Sequence, residues 1–191
     1  MDFFEVVKTR QSIRIQQLDE HNFRDVNRCD GTFTVNSKLA VHIEKDVIRY
    51  TVSNVPPHQK RYPVEEADYT TYLHDPDKAI FFAYVDEQLA GQIVVRKNWN
   101  RYAYIPDIVV DVGYRRSGVG RTLLQHAVAW ATAEQLAGVM LETQNNNVAA
   151  CCLYESCGFQ LGGFDRCLYK GLQPDTDEIA LYWYLLFVDA A

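Results

Sequence analysis

Between the apolar run Tyr104 to Asp111 and the amphipathic run Thr122 to Glu134 lies the stretch Arg115-Arg116-Ser117-Gly118-Val119-Gly120-Arg121, which constrains the fold more than any other part of the chain. An apolar run, two closely spaced glycines and then a helical repeat describe a strand that turns tightly into a helix. At such a junction the unsatisfied backbone N–H groups and the positive end of the helix dipole converge, which suits a bound phosphate or pyrophosphate. Gly118 and Gly120 carry no Cβ to hold an anion away from the backbone. Arg115, Arg116 and Arg121 concentrate positive charge in a chain whose formal net charge is −6. The spacing is neither G-x-x-x-x-G-K-[ST] nor G-x-G-x-x-G, which disfavours a Walker loop and a dinucleotide fold. A diphosphate-bearing cofactor is the first hypothesis. A solvated arginine face on an ordinary strand-to-helix turn has the same local sequence, and the residues downstream decide between the two.

At 191 residues and 48% apolar content the chain suits one domain with a substantial core. No apolar run approaches the roughly 18 residues of a membrane span. The start, Met1-Asp2-Phe3-Phe4-Glu5, lacks the basic-then-apolar order of a signal peptide, so the expectation is a soluble, cytoplasmic protein with no membrane partner. Five cysteines (Cys29, Cys151, Cys152, Cys157 and Cys167) form no C-x-x-C pair and have no nearby histidine. Reduced thiols and no metal are expected. The acidic balance argues against nucleic acid as a partner and is compatible with a cationic one.

Along the chain, Ser12 to Gln17 alternates like a strand and Leu18 to Cys29 reads as a helix with a thin apolar face. Leu39 to Ile43 and Val47 to Val52 read as paired strands around Glu44-Lys45-Asp46. Val55-Pro56-Pro57 and Tyr62-Pro63 break regular structure, so 53–61 is expected to be an irregular connection, with a short helix from Pro63 through Glu65 and Glu66 to about Leu73. Ala79 to Val85, Leu89 to Arg96 and Tyr102 to Asp111 form an antiparallel meander. The helix after the glycine turn puts Val119, Leu123, Ala127, Trp130 and Ala131 on one face. Val139 to Thr143 is then a buried strand, and a helical crossover makes it parallel to the strand before the turn, with a right-handed connection. Asn147 to Cys157 is a second helix closed by Gly158, and Leu161 to Tyr169 and Glu178 to Val188 complete the sheet. The organisation expected is an N-terminal part over 1–60 and a core over 75–191.

The order of strand Asp107-Ile108-Val109-Val110, R-x-x-G-x-G turn, helix, strand Leu141-Glu142-Thr143 and Asn147-x-x-Ala150-x-x-x-Tyr154-Glu155-x-x-Gly158-Phe159 resembles the GNAT superfamily of acetyl-CoA-dependent N-acetyltransferases. More closely, the runs Phe81-Phe82-Ala83-Tyr84, Leu141 to Asn147 and Glu178 to Tyr184 are similar to those of streptothricin acetyltransferases. The resemblance implies an α/β fold of the GNAT type. Its sheet is mixed and mostly antiparallel, with a central splayed parallel pair and flanking helices. It also implies acetyl-CoA as cosubstrate, and as acceptor an amine on the β-lysine portion of a cationic antibiotic. Acetylation of polyamines or protein N-termini, and a non-catalytic acetyl-CoA-binding regulator, are the alternatives.

An alkylammonium with a pKa near 10.4 is neutral at about one part in a thousand at pH 7, a handicap of roughly 4 to 5 kcal/mol. A base must therefore take a proton, an oxyanion must be stabilised and the departing thiolate must be protonated. The resemblance places the pantetheine arm between the splayed strands against the backbone of Ile108, Val109 and Val110. It places the diphosphate on Arg115, Arg116, Ser117, Gly118, Val119, Gly120, Arg121 and Thr122. Tyr154 matches the tyrosine that protonates the sulfur, and core filling is its other reading. Glu142 matches a carboxylate that acts through water. Asp107 competes for that role or anchors the acceptor cation. Asn147 caps the second helix and, by resemblance, touches the cofactor. Direct transfer in a ternary complex needs no cysteine; Cys151, Cys152 and Cys157 are expected to be small buried thiols and His126 solvated or in the core. Trp183 is expected to oppose its neighbours Tyr182 and Tyr184 and fill the core. The chain is expected to be a monomer or a homodimer, with the long apolar strand Glu178 to Val188 as a candidate to pair or swap across a dimer.

Overall fold

The computed structural model of the chain describes residues 12–63 and 67–187, so the expectations for Met1 to Glu5, Glu65, Glu66 and Val188 lie outside the described residues. In chain order the elements are β1 (Ile13–Gln17), β2 (Phe33–Glu44), β3 (Val47–Lys60), β4 (Lys78–Val85), β5 (Gln88–Lys97), β6 (Ala103–Val110), α1 (Val119–Ala133), β7 (Gly138–Gln144), α2 (Val148–Ser156), β8 (Gln160–Asp165) and β9 (Ala180–Leu186). β2 and β3 form a separate hairpin, and the other strands make a sheet in the order β1-β4-β5-β6-β7-β9-β8. Every pairing in it is antiparallel except β6 with β7. The α1 crossover requires that exception, because a helix returns the chain to the end where it began.

The two faces of the sheet follow from alternation along β4 and β5. Phe81, Ile93, Ile105, Leu141 and Trp183 face α1 and α2, where Leu123, Ala127 and Tyr154 meet them. Ile80, Phe82, Tyr84 and Val94 face the other way and are covered by Phe23, Val26, Tyr69, Tyr72 and Leu73. α1 starts three residues before Thr122 and buries Val119, Leu123, Ala127 and Ala131 at helical spacing.

Several sequence expectations are corrected. Leu18 to Cys29 is not a helix; it holds one 3-10 turn at Phe23–Asp25. Side chains take over the backbone groups a helix would need: Asn22 Oδ1 accepts from Asp19 N, Asn22 Nδ2 donates to Gln17 O, and Asn27 N donates to the Gln92 side chain. β3 runs straight through 53–60, prolines included. The register steps from Val35↔His58 to Ser37↔Asn54, so Val55, Pro56 and Pro57 sit in a bulge opposite Asn36, where no ladder N–H is demanded of a proline. Of the helix expected from Pro63 to about Leu73, the described residues 67–73 hold a 3-10 turn at Tyr69–Leu73 capped by Asp68. β8 ends at Asp165 rather than Tyr169, where the Asp165 carboxylate accepts from Cys167 N and Leu168 N and turns the chain. β9 lies between β7 and β8, so both its edges are already paired and a dimer through it would need an exchange of the strand rather than addition at its edge.

Candidate active site

At the α1 N-terminus Gly118 has φ +95°, a left-handed conformation that favours glycine. The first helical hydrogen bond runs from Thr122 N to Gly118 O at 3.0 Å, so the amides of Val119, Gly120 and Arg121 have no partner within the helix. Gly120 has a different reason to be glycine. A Cβ there would stand 3.0 Å from Leu153 Cδ2 and 3.3 Å from Val110 Cγ2, so its absence lets the first turn of α1 settle against α2 and β6. The arginines divide. Arg121 donates to Ser156 O at 3.0 Å and Ser156 Oγ at 2.9 Å, and Arg115 Nε donates to Val110 O at 3.3 Å, whereas Arg116 is exposed. Ser117 Oγ donates to Tyr114 O and Thr122 Oγ1 to Gly118 O, which fixes the turn. Free amides, an open loop and an exposed guanidinium fit a diphosphate.

β6 and β7 pair only at Ala103↔Val139, Tyr104↔Met140 and Ile105↔Leu141. Pro106 then offers no N–H, and the two strands part. From there Ile108, Val109 and Val110 remain paired with Ile93, Gln92 and Gly91 of β5. An antiparallel strand turns alternate backbone groups to opposite edges, so part of this segment's N–H and C=O groups face the gap left by β7. That is the open strand edge an extended pantetheine arm requires.

A bulge decides which side chains reach the gap. Between Arg96↔Tyr104 and Val94↔Asp107, β6 spends one more residue than β5. The extra residue flips the alternation, so Ile105 and Ile108 both face the helices while Asp107 joins Tyr104 on the far face. Glu142 takes that same far face on β7, because its neighbour Leu141 faces the helices and its cross-strand partner is Tyr182. Two carboxylates thus flank the gap on one face, and Tyr154 occupies the other. Gln92 Nε2 donates to Asp107 Oδ2 at 3.1 Å and to Asn27 Oδ1 at 3.0 Å, which orients the Asp107 side chain.

Tyr154 is buried, with its ring against Phe159 and Trp183 at centroid distances of 6.1 and 6.2 Å. Burial, with Cys151, Tyr62, Asp107 and Glu142 nearby, holds its hydroxyl well above the usual tyrosine range, so it stays protonated. That state suits an acid and not a base. Glu142 is raised above the ordinary carboxylate range by burial, an effect opposed by the Tyr169 hydroxyl that donates to Glu142 Oε1. Asn147 Oδ1 accepts from Ala150 N at 3.3 Å as the α2 cap, and its Nδ2 donates to the Tyr62 hydroxyl at 3.3 Å. The Tyr62 ring is partly exposed. Its hydroxyl end lies among Asn147, Thr143 and Glu142, and burial there pushes it up to about 12.

Sequence reasoning did not single out Tyr62, Tyr169, Gln92 or Asn145. Asn145 is buried and joins three segments: Leu39 N donates to its carbonyl, its Nδ2 donates to Leu39 O, and Ile179 N donates to its Oδ1. With the ion pairs Lys60–Glu178 and Lys38–Asp177, it pins the hairpin to the chain entering β9. The N-N-N run at 145–147 was the available signal, since three amides at a strand end are there to bond something. Trp183 is buried and opposes Tyr182 and Tyr184, as its alternation implied. Cys151 is buried and pushed up to about 12 by that burial, but Cys152 is exposed and Cys157 only partly covered, which corrects the expectation of three buried thiols. On a helix successive side chains are about 100° apart, so with Cys151 turned into the core its neighbour Cys152 turns out of it. His126 is exposed, its Nδ1 3.2 Å from Thr122 O. Among the described residues no cluster of His, Cys, Asp and Glu suits a metal, and no helix is long and apolar enough to cross a membrane.

Residues 45–159 match the model of the acetyltransferase (GNAT) family. Streptothricin acetyltransferase A of Bacillus subtilis (strain 168) is 36% identical over 174 residues, covering 91% of this chain and 99% of that protein. A streptothricin acetyltransferase of Escherichia coli is 38% identical over 155 residues, covering 81% of this chain and 86% of that protein. The crystal structure of a Bacillus anthracis protein described as a streptothricin acetyltransferase, in complex with acetyl coenzyme A, has 44% identity and a TM-score of 0.86, and the match covers 94% of this chain and 99% of that one.

Proposed function

The chain belongs to the GNAT acetyltransferase family and uses acetyl-CoA as cosubstrate, and from that premise we propose that it acetylates an amine on the β-lysine portion of streptothricin-type antibiotics by direct transfer in a ternary complex. The observation that carries the reading is the division of groups across the gap between β6 and β7, with Asp107 and Glu142 on one face and Tyr154 on the other. A cationic amine enters on the acidic face, and the thioester lies between it and the hydroxyl. Acetyl-CoA supplies the activated acyl group.

Each residue then has one task. Glu142, directly or through a water, takes the proton that frees the amine lone pair. The C–N bond forms as the C–S bond breaks, and a β6 backbone N–H in 108–110 stabilises the charge on the acyl oxygen. Tyr154, held protonated, delivers its proton to the leaving sulfur. Asp107, oriented by Gln92, binds the acceptor cation. The amides of Val119, Gly120 and Arg121, with Arg116, Ser117, Gly118 and Thr122 around them, hold the diphosphate; Arg115 closes the turn on Val110 and Asn147 fixes the α2 entry beside the cofactor.

The test is thiol release from acetyl-CoA by the purified protein with streptothricin, spermidine or a short peptide as acceptor. Turnover confined to streptothricin supports the proposal, and turnover confined to either of the others refutes its substrate. Tight acetyl-CoA binding with no turnover on any acceptor refutes the transfer itself.

A further inference from the structure

The loop from β8 to β9 brings one side chain onto the Glu142 carboxylate. Asp165 turns the chain by accepting from Cys167 N and Leu168 N, a 3-10 turn follows at Leu168–Gly171, and the Tyr169 hydroxyl donates to Glu142 Oε1. The bond spans 27 residues of sequence and two elements that do not pair with each other. We propose that Tyr169 is a positioning residue for acetyl transfer: by occupying Glu142 Oε1 it leaves Oε2 as the oxygen that takes the proton from the amine. This rests on Glu142 being the base.

The surroundings of Glu142 explain why one hydroxyl has this weight. Among the described residues, Tyr182 from β9, Tyr62 beyond β3, Tyr154 from α2 and Tyr169 from the loop are titratable groups around it, Asp107 faces it across the gap from β6, and Glu178 is the carboxylate near Tyr169. Glu178 is itself paired with Lys60 and accepts from Asn146 Nδ2 at 2.8 Å, so its charge is taken. The Tyr169 hydrogen bond is what opposes the burial that raises Glu142. It therefore sets both the rotamer of the carboxylate and the pH at which it becomes a base.

Tyr169→Phe keeps the ring and removes the hydroxyl. The expected result is a drop in kcat of about 10-fold at pH 7, with acetyl-CoA binding unchanged and the acid limb of kcat/KM moved to higher pH. A purely structural role would lower the rate at every pH and leave the limb in place, and that outcome overturns the proposal. Glu142→Gln supplies the second arm. If Tyr169 acts through Glu142, adding Tyr169→Phe to Glu142→Gln changes the rate no further; an undiminished additional loss overturns the proposal. Loss with Glu142→Gln but none with Tyr169→Phe overturns the role of Tyr169 and leaves Glu142 as base. An unaltered rate in Glu142→Gln overturns the base assignment itself.

Discussion

Replacing Asn145 by Ala removes the side chain that ties the hairpin to the sheet, and its cost follows from the hydrogen bonds it makes. The residue is 3% exposed, and its Nδ2 and Oδ1 reach Leu39 O and Ile179 N, both at 3.0 Å. Alanine leaves the buried Leu39 carbonyl and the part-buried Ile179 N–H without their side-chain partner, at ~1–3 kcal/mol each, with the larger share at the buried carbonyl. The backbone bonds Leu39 N to Asn145 O and Asn145 N to Ile179 O persist and limit the damage. The expected loss is about 3 kcal/mol, which in a chain of this size lowers Tm by roughly 6 to 12 °C. Urea unfolding followed by circular dichroism measures it directly. Asn145→Asp is expected to be worse, because a carboxylate oxygen then faces the Leu39 carbonyl. Since the hairpin ends beside Tyr62, whose hydroxyl end lies near Glu142 on the face proposed for the acceptor, the KM for the acceptor should rise more than that for acetyl-CoA. A loss below about 1 kcal/mol would mean the two backbone groups find other partners, and the tether would not be where the hydrogen bonds put it.

Tyr154→Phe should lower kcat by about 100-fold with an unchanged dissociation constant for acetyl-CoA by calorimetry; equal loss of both would make the residue a packing group. The pH profile of kcat/KM should show an acid limb above the ordinary glutamate value of about 4.3, because a carboxylate raised by burial is still protonated, and unable to accept, at a pH where an exposed one is ionised. Tyr154 is raised in the same direction, so loss of its proton should cause no fall in rate below about pH 10, and an alkaline limb well under that value would contradict its role as the acid. Arg116→Ala should raise the KM for acetyl-CoA several-fold, by an amount that shrinks at high salt, while Arg121→Ala should act on stability through its lost bonds to Ser156; equal KM effects would show that both arginines reach the diphosphate.

The central run from β4 to α2 was legible in the sequence because everything it needs is local. Alternation places Phe81 and Ile93 on one face, the i, i+3, i+4 repeat places Leu123 and Ala127, a glycine supplies φ +95° at 118, and Asn147 caps the helix it precedes. Glu142 and Tyr154 could be named as candidates because their motif lies within that run. Only the tertiary structure decided the rest. The flip that carries Asp107 to the face of Glu142 depends on a bulge defined by β5, and alternation along β6 alone would put Asp107 on the side of Ile105. The strand through Pro56 and Pro57 exists because Asn36 on the partner strand accommodates the bulge. Tyr169 meets Glu142, and Asn145 meets Leu39 from 106 residues away, through hydrogen bonds whose partners have no local signature. Periodicity and turn chemistry act over a few residues and are written in the chain. Which polar group satisfies which is settled only when packing brings distant segments together and burial makes an unpaired one costly.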